Sequence, residues 1–279
     1  MTRPITLSVY QGMCREGDFA ANAATCRGVI AEALDRASDF VCFPECFLSG
    51  YDSPEAIEAG ARRLDSAEVQ AFIAETAAHG MVTLVGMARF ADDGLYNSQL
   101  VIHRGELLGV YDKVCLTGPD ADRLGFLPGR SVPVFEAHGV RFAVQICHDS
   151  SFPFVAMAAR RMGAEVLFSP HNNEIGAQYA HDHRVWVRNC HVGLACQMKM
   201  VVARSNIVKF DRPGMIGYGD SFILSPQGVP LAEAGLHRTK LITATVHPEM
   251  FGPPCVWADL NEAPAWIRDG WAAARETGV

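Results

Sequence analysis

Cys147 stands where a strand pattern gives way to a helix pattern. Val140, Phe142, Val144 and Ile146 alternate with Arg141, Ala143 and Gln145, the period-two signature of a strand. Asp149, Ser150 and Ser151 then offer caps, and Pro153 suits a first helical turn. Phe152, Val155, Ala156, Ala159 and Met162 recur at helical spacing until Gly163 stops the run. A thiol at such an elbow meets backbone N–H groups and the positive end of a helix dipole, both of which favour thiolate. The plain alternative is a structural cysteine, since the chain has nine and free cysteines are among the most buried residues.

A thiol nucleophile needs a base. His148 is adjacent in sequence, but neighbours at a strand end point in different directions, so it is set aside. The better candidates close buried strands. Glu45 follows Phe40-Val41-Cys42-Phe43 and Pro44, and Lys113 follows Tyr111-Asp112. Asp122 lies on the long loop 117–130, together with Asp120 and the Pro128-Gly129 turn. A lone Glu or Lys is by default a solvated charge. A carboxylate at the end of a buried strand is costly unless it points into a site.

Those residues need a scaffold. Alternation from Ile5 to Val9 predicts a first strand, ending near Gly12. A long helix from Asp18 follows, with Phe19, Ala23, Cys26, Ile30, Ala33, Leu34 and Ala37 on one face. After the buried strand 40–43 and a turn at 50–54 come two helical segments, about 54–63 and 66–79. Strands over 81–87, 95–103 and 107–111 follow, the last two joined by so short a turn that they must be antiparallel. Beyond the elbow helix, Glu165 to Pro170 is another buried strand, closed by His171-Asn172-Asn173. The region 178–198 is helical and Lys199 to Asn206 a strand. A loop over 214–219 precedes strands at 221–224, 229–231 and 240–246. The tail, about 256–274, carries Trp257, Trp266 and Trp271 and is expected to form a terminal helix. Strand–helix–strand units at 5–43 and 140–168, with antiparallel pairs between and after, imply two sheets with helices outside in one layered α/β domain.

Composition describes an ordinary globular protein: 49% hydrophobic and 20% charged residues leave ample core. The net charge of -7, with scattered Lys and Arg, argues against non-specific nucleic-acid binding. No apolar run reaches the roughly eighteen residues of a spanning helix, so no membrane role is expected. Met1-Thr2-Arg3-Pro4 leads straight into a strand pattern without a signal-peptide core, and the cysteines lack compact paired spacing. A reduced, cytoplasmic setting is therefore expected. His181-Asp182-His183 with His171 and His191, and the Cys42/Cys46 gap, match no metal-site spacing, so no metal is expected.

Phe43-Pro44-Glu45, Tyr111-Asp112-Lys113 with Leu116, and Ile146-Cys147-His148-Asp149 with Phe152-Pro153 resemble the nitrilase superfamily of carbon–nitrogen hydrolases. Gly219-Asp220-Ser221 with Pro226-Gln227-Gly228 resembles that family's late strand and turn, and the likeness runs over roughly residues 4–246. It implies a four-layer αββα sandwich of two mixed β-sheets over 1–279, with about 247–279 an extension used in oligomer contacts. It also implies a Glu–Lys–Cys triad: Cys147 as nucleophile, Glu45 as general base and then acid, and Lys113 with the His148 backbone N–H holding the oxyanion. Small amide and water are the implied reactants, with no cofactor, in a homodimer or larger assembly.

Departures from the family pattern are specific. The second glutamate, in the loop after the lysine, is matched to Asp122. Phe154 replaces the glutamate after Phe-Pro, and Cys115 the histidine two after the lysine. Cys196-Gln197-Met198-Lys199 stands where an Arg-Ala…Glu-Asn signature is usual. Cys-His-Asp at the nucleophile is more like short-chain amide hydrolases than the Cys-Trp-Glu of true nitrilases. No Arg follows to grip a carbamoyl amino acid's carboxylate. A small amide or carbamoyl compound is the expected substrate, with a nitrile or a non-catalytic ligand-binding role as alternatives. Tyr51, His171 and Asn172, each just after a strand leading toward the site, are the expected pocket residues, or else loop residues making local hydrogen bonds.

Overall fold

The structure, a computed structural model, describes residues 3–252 together with Ala265. Its first half runs β1 (Ile5–Gln11), α1 (Phe19–Asp35), β2 (Phe40–Cys42), α2 (Pro54–Gly60), β3 (Arg62–Arg63), α3 (Ala67–Glu75), β4 (Val82–Ala91), β5 (Gly94–His103) and β6 (Glu106–Asp112). There follow α4 (Gly118–Asp122), β7 (Val134–Ala137), β8 (Val140–Val144), α5 (Pro153–Arg161), β9 (Val166–Pro170), β10 (Glu174–Gly176) and α6 (Ala180–Met198). The chain continues through β11 (Val201–Ser205), β12 (Val208–Lys209), β13 (Met215–Leu224), β14 (Pro230–Leu236) and β15 (Lys240–Val246).

Among the described residues these strands form two sheets. One has the order β15-β1-β2-β4-β5-β6, with β3 on β4. The other has the order β10-β13-β11-β9-β8-β7, with β12 and β14 on β13. Each is built around a parallel trio, β1-β2-β4 and β8-β9-β11, flanked by antiparallel strands, so both sheets are mixed. The strand–helix–strand units β1-α1-β2 and β8-α5-β9 supply the parallel pairs, as their patterns predict.

Alternation along the strands divides the core into three layers. Leu7, Val9, Phe40, Cys42, Phe142, Val144, Phe168 and Ala203 point between the sheets. There Phe40 packs on Phe142 and Phe168, with ring centroids 5.2 and 5.7 Å apart. On the outside of the first sheet, Val41, Phe43, Val85 and Leu100 meet the apolar stripes of α1 and α3. Outside the second, Ala143, Leu167 and Val202 meet α5 and α6. The result is the expected αββα sandwich.

Local signals hold at most boundaries. The Asp18 side chain caps α1 by accepting from the Ala21 amide at 3.0 Å. Three expectations change. The helix over 54–63 ends at Gly60, and Arg62–Arg63 pair with β4 instead. The segment 117–130 is not all loop, since α4 forms inside it. The loop over 214–219 is the first half of β13, paired with β10 and β12. Gly217 and Gly219 hid that strand, because it bends at a bulge where Gly219 and Asp220 take φ of +82° and +67°. The terminal helix expected over about 256–274 and most of the expected extension 247–279 lie outside the described residues. Among the described residues no helix is long and apolar enough to cross a membrane.

Candidate active site

The carboxyl ends of the two parallel trios converge at one point between the sheets. Glu45 follows β2 by three residues, Cys147 follows β8 by three, and His171 to Asn173 follow β9 directly. Lys113 is the first residue after β6, tied to β5 by its own amide, which donates to the Asn97 carbonyl at 2.9 Å. In an α/β sheet, the carboxyl ends of parallel strands are where ligands are bound.

Glu45 and Lys113 side chains are wholly buried, and Lys113 Nζ donates to Glu45 Oε1 at 2.8 Å. Glu45 Oε1 also accepts from Asn97 Nδ2 at 2.7 Å, and Oε2 from the Asn172 amide at 2.8 Å. Burial pushes the Glu45 carboxyl above the usual carboxylate range, against the pull of the Lys113 ammonium. Lys113 is held well above its ordinary value: desolvation works against its charge, but Glu45, Tyr51, Cys147 and Asp120 together outweigh it.

The second carboxylate at Lys113 is Asp120, not Asp122. Asp120 Oδ2 lies 2.8 Å from Lys113 Nζ, and Oδ1 accepts from the Tyr51 hydroxyl. The reason is local. Thr117 and Asp120 close a capping box at the start of α4, the Thr117 hydroxyl accepting from the Asp120 amide at 3.2 Å and Asp120 Oδ2 from the Thr117 amide at 2.9 Å. That turns the third helical residue inward. Asp122, two residues or about 200° further round the helix, is exposed. Thr117-Gly118-Pro119-Asp120 is the capping signal by which the sequence could have identified it.

Cys147 occupies the elbow with φ of +47°, in the left-handed region that a non-glycine residue seldom adopts. Strain of this kind costs about 1–3 kcal/mol and persists where the surroundings over-determine it. Here Asp149 does so: it accepts from the Ile146 amide at 2.7 Å, the Cys115 amide at 2.7 Å and the Tyr111 hydroxyl at 2.6 Å, tying the elbow to the end of β6. The chain after Cys147 makes a 3₁₀ turn over Cys147–Ser151 before α5 begins. Burial, with the Glu45 carboxylate adding to it, pushes the thiol up to about 12, against the lowering effect of Lys113. A thiol raised in this way calls for a neighbouring base to take its proton.

Cys147 and Lys113 line a cavity of about 330 Å³, with Tyr51, His148, His171 and Asn172 also on its wall. The expected pocket residues make distinct contributions. The Tyr51 ring faces Lys113, whose Nζ is 5.8 Å from its centroid. Asn172 contributes its amide to Glu45. The His171 carbonyl accepts from the Glu45 amide at 3.3 Å, while its ring Nε2 sits with Ser169 Oγ and His191 Nε2 at 3.1 and 3.2 Å. The His148 ring packs on Phe152 and pairs with Ser151 Oγ at 3.2 Å. Sequence reasoning missed Asn97 and Asn173. Asn97 is a fully buried amide within β5, and Asn173 Nδ2 reaches Cys147 Sγ at 3.4 Å.

A thiol and a buried ammonium on one cavity wall, with a buried carboxylate paired to the ammonium, can perform addition to a carbonyl carbon followed by proton delivery to a leaving nitrogen. A hydrolase of Pseudomonas protegens, described as encoded in the pqqF 5' region, is 32% identical over 90% of this chain and 85% of its own. An (R)-stereoselective amidase of a Pseudomonas species is 26% identical over 79% of this chain and 77% of its own. Among solved structures, a CN-hydrolase superfamily protein of Xanthomonas campestris with an arsenic adduct in its active site superposes with a TM-score of 0.76. It is 27% identical, and the match covers 89% of this chain and 92% of that one. With the carbon–nitrogen hydrolase family model matching residues 6–253, the chain belongs to the carbon–nitrogen hydrolases, the nitrilase superfamily.

Proposed function

We propose that this protein hydrolyses the carbon–nitrogen bond of a small amide or carbamoyl compound through a thioester on Cys147, releasing ammonia or an amine. The observation that carries the reading is the Lys113 ammonium held between two buried carboxylates at 2.8 Å each, on the wall of the cavity that Cys147 also lines.

Glu45 takes the Cys147 proton as the sulfur attacks the carbonyl carbon, so that a C–S bond forms and the carbonyl electrons move to oxygen. Lys113 and the His148 backbone N–H stabilise that oxyanion. The tetrahedral intermediate collapses, the C–N bond breaks, and the proton on Glu45 passes to the leaving nitrogen. Water, deprotonated by Glu45, then attacks the thioester carbonyl. The C–S bond breaks, sulfur recovers the proton, and a carboxylic or carbamic acid departs. Burial raises the Glu45 carboxyl, which strengthens it as a base for the Cys147 proton. Asp120 keeps Lys113 charged and in place. Similarity to an amidase supports the amide over the nitrile.

The deciding experiment is ammonia release from a panel of short amides, carbamoyl compounds and nitriles, with intact mass recorded alongside. Ammonia release together with a covalent adduct that is lost in Cys147→Ala supports the reading. Full amidase activity in Cys147→Ala overturns it.

A further inference from the structure

Arg204 is the largest fully buried side chain of the described residues, and it forms no ion pair among them. Its guanidinium instead donates to backbone and amide oxygens: Nη1 to the Gly219 and Asp220 carbonyls at the β13 bulge, and Nη2 to Asn173 Oδ1 at 2.6 Å. The Tyr218 hydroxyl reaches the same Asn173 oxygen at 3.3 Å. Burying a guanidinium without a carboxylate is expensive, so such a residue is retained for what it holds. What it holds is the β13 bulge on one side and the Asn173 amide on the other.

An arginine can only donate, so the Asn173 atom facing Arg204 must be oxygen. That fixes the flip of the amide and leaves Nδ2, a donor, facing Cys147 Sγ at 3.4 Å. The whole relay is buried or lies at the cavity wall, where a hydrogen bond to an ionising sulfur is little screened by water.

We propose that Asn173 is a catalytic residue whose amide N–H stabilises the Cys147 sulfur as its proton leaves, and that Arg204 is a positioning residue that locks this amide in its donating orientation. The inference rests on the thiol reading of Cys147 above. When Glu45 removes the S–H proton, negative charge develops on sulfur before the C–S bond is complete, and Asn173 Nδ2 is then its hydrogen-bond donor. The same donor assists departure of the sulfur when the thioester is hydrolysed. Lys113 serves the carbonyl oxygen, so the two charges that develop in the reaction have separate partners. Glu45, Lys113, Asp120, Tyr51, Tyr218 and Arg204 are the titratable groups that act on the sulfur.

The test is the pH profile of Cys147 alkylation by iodoacetamide in the full chain, followed by peptide mass and read beside amidase turnover. Alkylation needs no substrate, so it reports on Asn173 even if no amide is turned over. Cys147→Ala identifies the signal and tests the thiol reading independently. In Asn173→Ala, alkylation at a fixed pH falls about ten- to a hundredfold, the value of a hydrogen bond to a charged group. In that variant kcat falls with it, while KM moves little. Asn173→Asp keeps the shape and pairs with Arg204, so melting temperature is held or raised. The carboxylate nonetheless repels the sulfur, and alkylation drops at least as far. A purely structural Asn173 cannot produce that split. Arg204→Lys lowers alkylation alone but adds nothing to Asn173→Ala in the double variant. Alkylation profiles of Asn173→Ala and Asn173→Asp that overlay the unaltered protein overturn the proposal. Additive losses for Arg204→Lys and Asn173→Ala overturn the positioning role. If Arg204→Lys does not fold, the two Asn173 variants decide the matter.

Discussion

Lys113 and Glu45, 68 residues apart in sequence, form an ion pair at 2.8 Å with neither side chain exposed to solvent. Taking both charges out of water is costly, and the cost is offset here by the Asn97, Asn172 and Asp120 contacts that complete the cluster. Removing one partner is therefore worse than never having buried the pair. Lys113→Ala is expected to lower turnover about a hundred- to a thousandfold, the cost of losing an oxyanion donor. Stability falls by about 3–5 kcal/mol, because two carboxylates lose their cation. Steady-state kinetics and chemical denaturation of the same preparation check both; activity within threefold of the unaltered protein would contradict the proposed role.

Asp120 and Asp122 offer a direct comparison, since they differ in chemistry only by placement. Asp120→Asn removes a carboxylate from Lys113 and is expected to reduce kcat roughly tenfold or more. Asp122→Asn alters an exposed charge and leaves kinetics unchanged within about twofold. Reversal of that order would return the second carboxylate to position 122.

The acid limb of kcat/KM should follow Glu45. The residue acts as base only when deprotonated, and its carboxyl lies above the usual carboxylate range. Activity is therefore lost as pH falls through that raised value, earlier than a solvated glutamate would give. Glu45→Gln should remove turnover at all pH values rather than displace the limb. A variant that kept a normal profile would exclude Glu45 as the base.

Cys147 alkylation without substrate should keep rising with pH beyond 9, because burial holds the thiol near 12. A plateau near neutral pH would show a preformed thiolate, and the proton transfer to Glu45 would then be unnecessary.

Acid stability has a separate source. Burial holds the His191 ring down at about 3 and His171 well below its ordinary value, so both are neutral in the folded chain. In the unfolded chain both protonate near 6.5. The unfolded state thus binds more protons as pH drops, and stability falls with acidification through that value. Between pH 7 and pH 5 the His191 ring contributes about 2 kcal/mol of loss, and His171 acts in the same direction. Melting temperature measured across that range, against His191→Gln, gives the difference. Equal pH slopes in the two proteins would assign the loss elsewhere.

Much of the architecture was legible in the chain because burial on one or both strand faces writes itself into periodicity. Alternation at 140–146, the continuous run at 40–43 and the Asp18 cap each became the element they predicted, and the order of the three motifs marked Glu45, Lys113 and Cys147. Periodicity determines which face a residue takes, and hydrophobicity which faces meet. Neither says where a polar side chain ends when several elements converge. Asp120 displaced Asp122 because a cap only one turn long aims the third helical residue inward. Asn97, Asn173 and Arg204 read as ordinary polar residues until the packing of the strands brought Asn97 to Glu45 and the Arg204–Asn173 pair to Cys147. The thiol's environment was likewise a tertiary outcome. Burial and then the Glu45 carboxylate, both supplied by the packing of one sheet on the other, raise the thiol against the pull of the Lys113 ammonium.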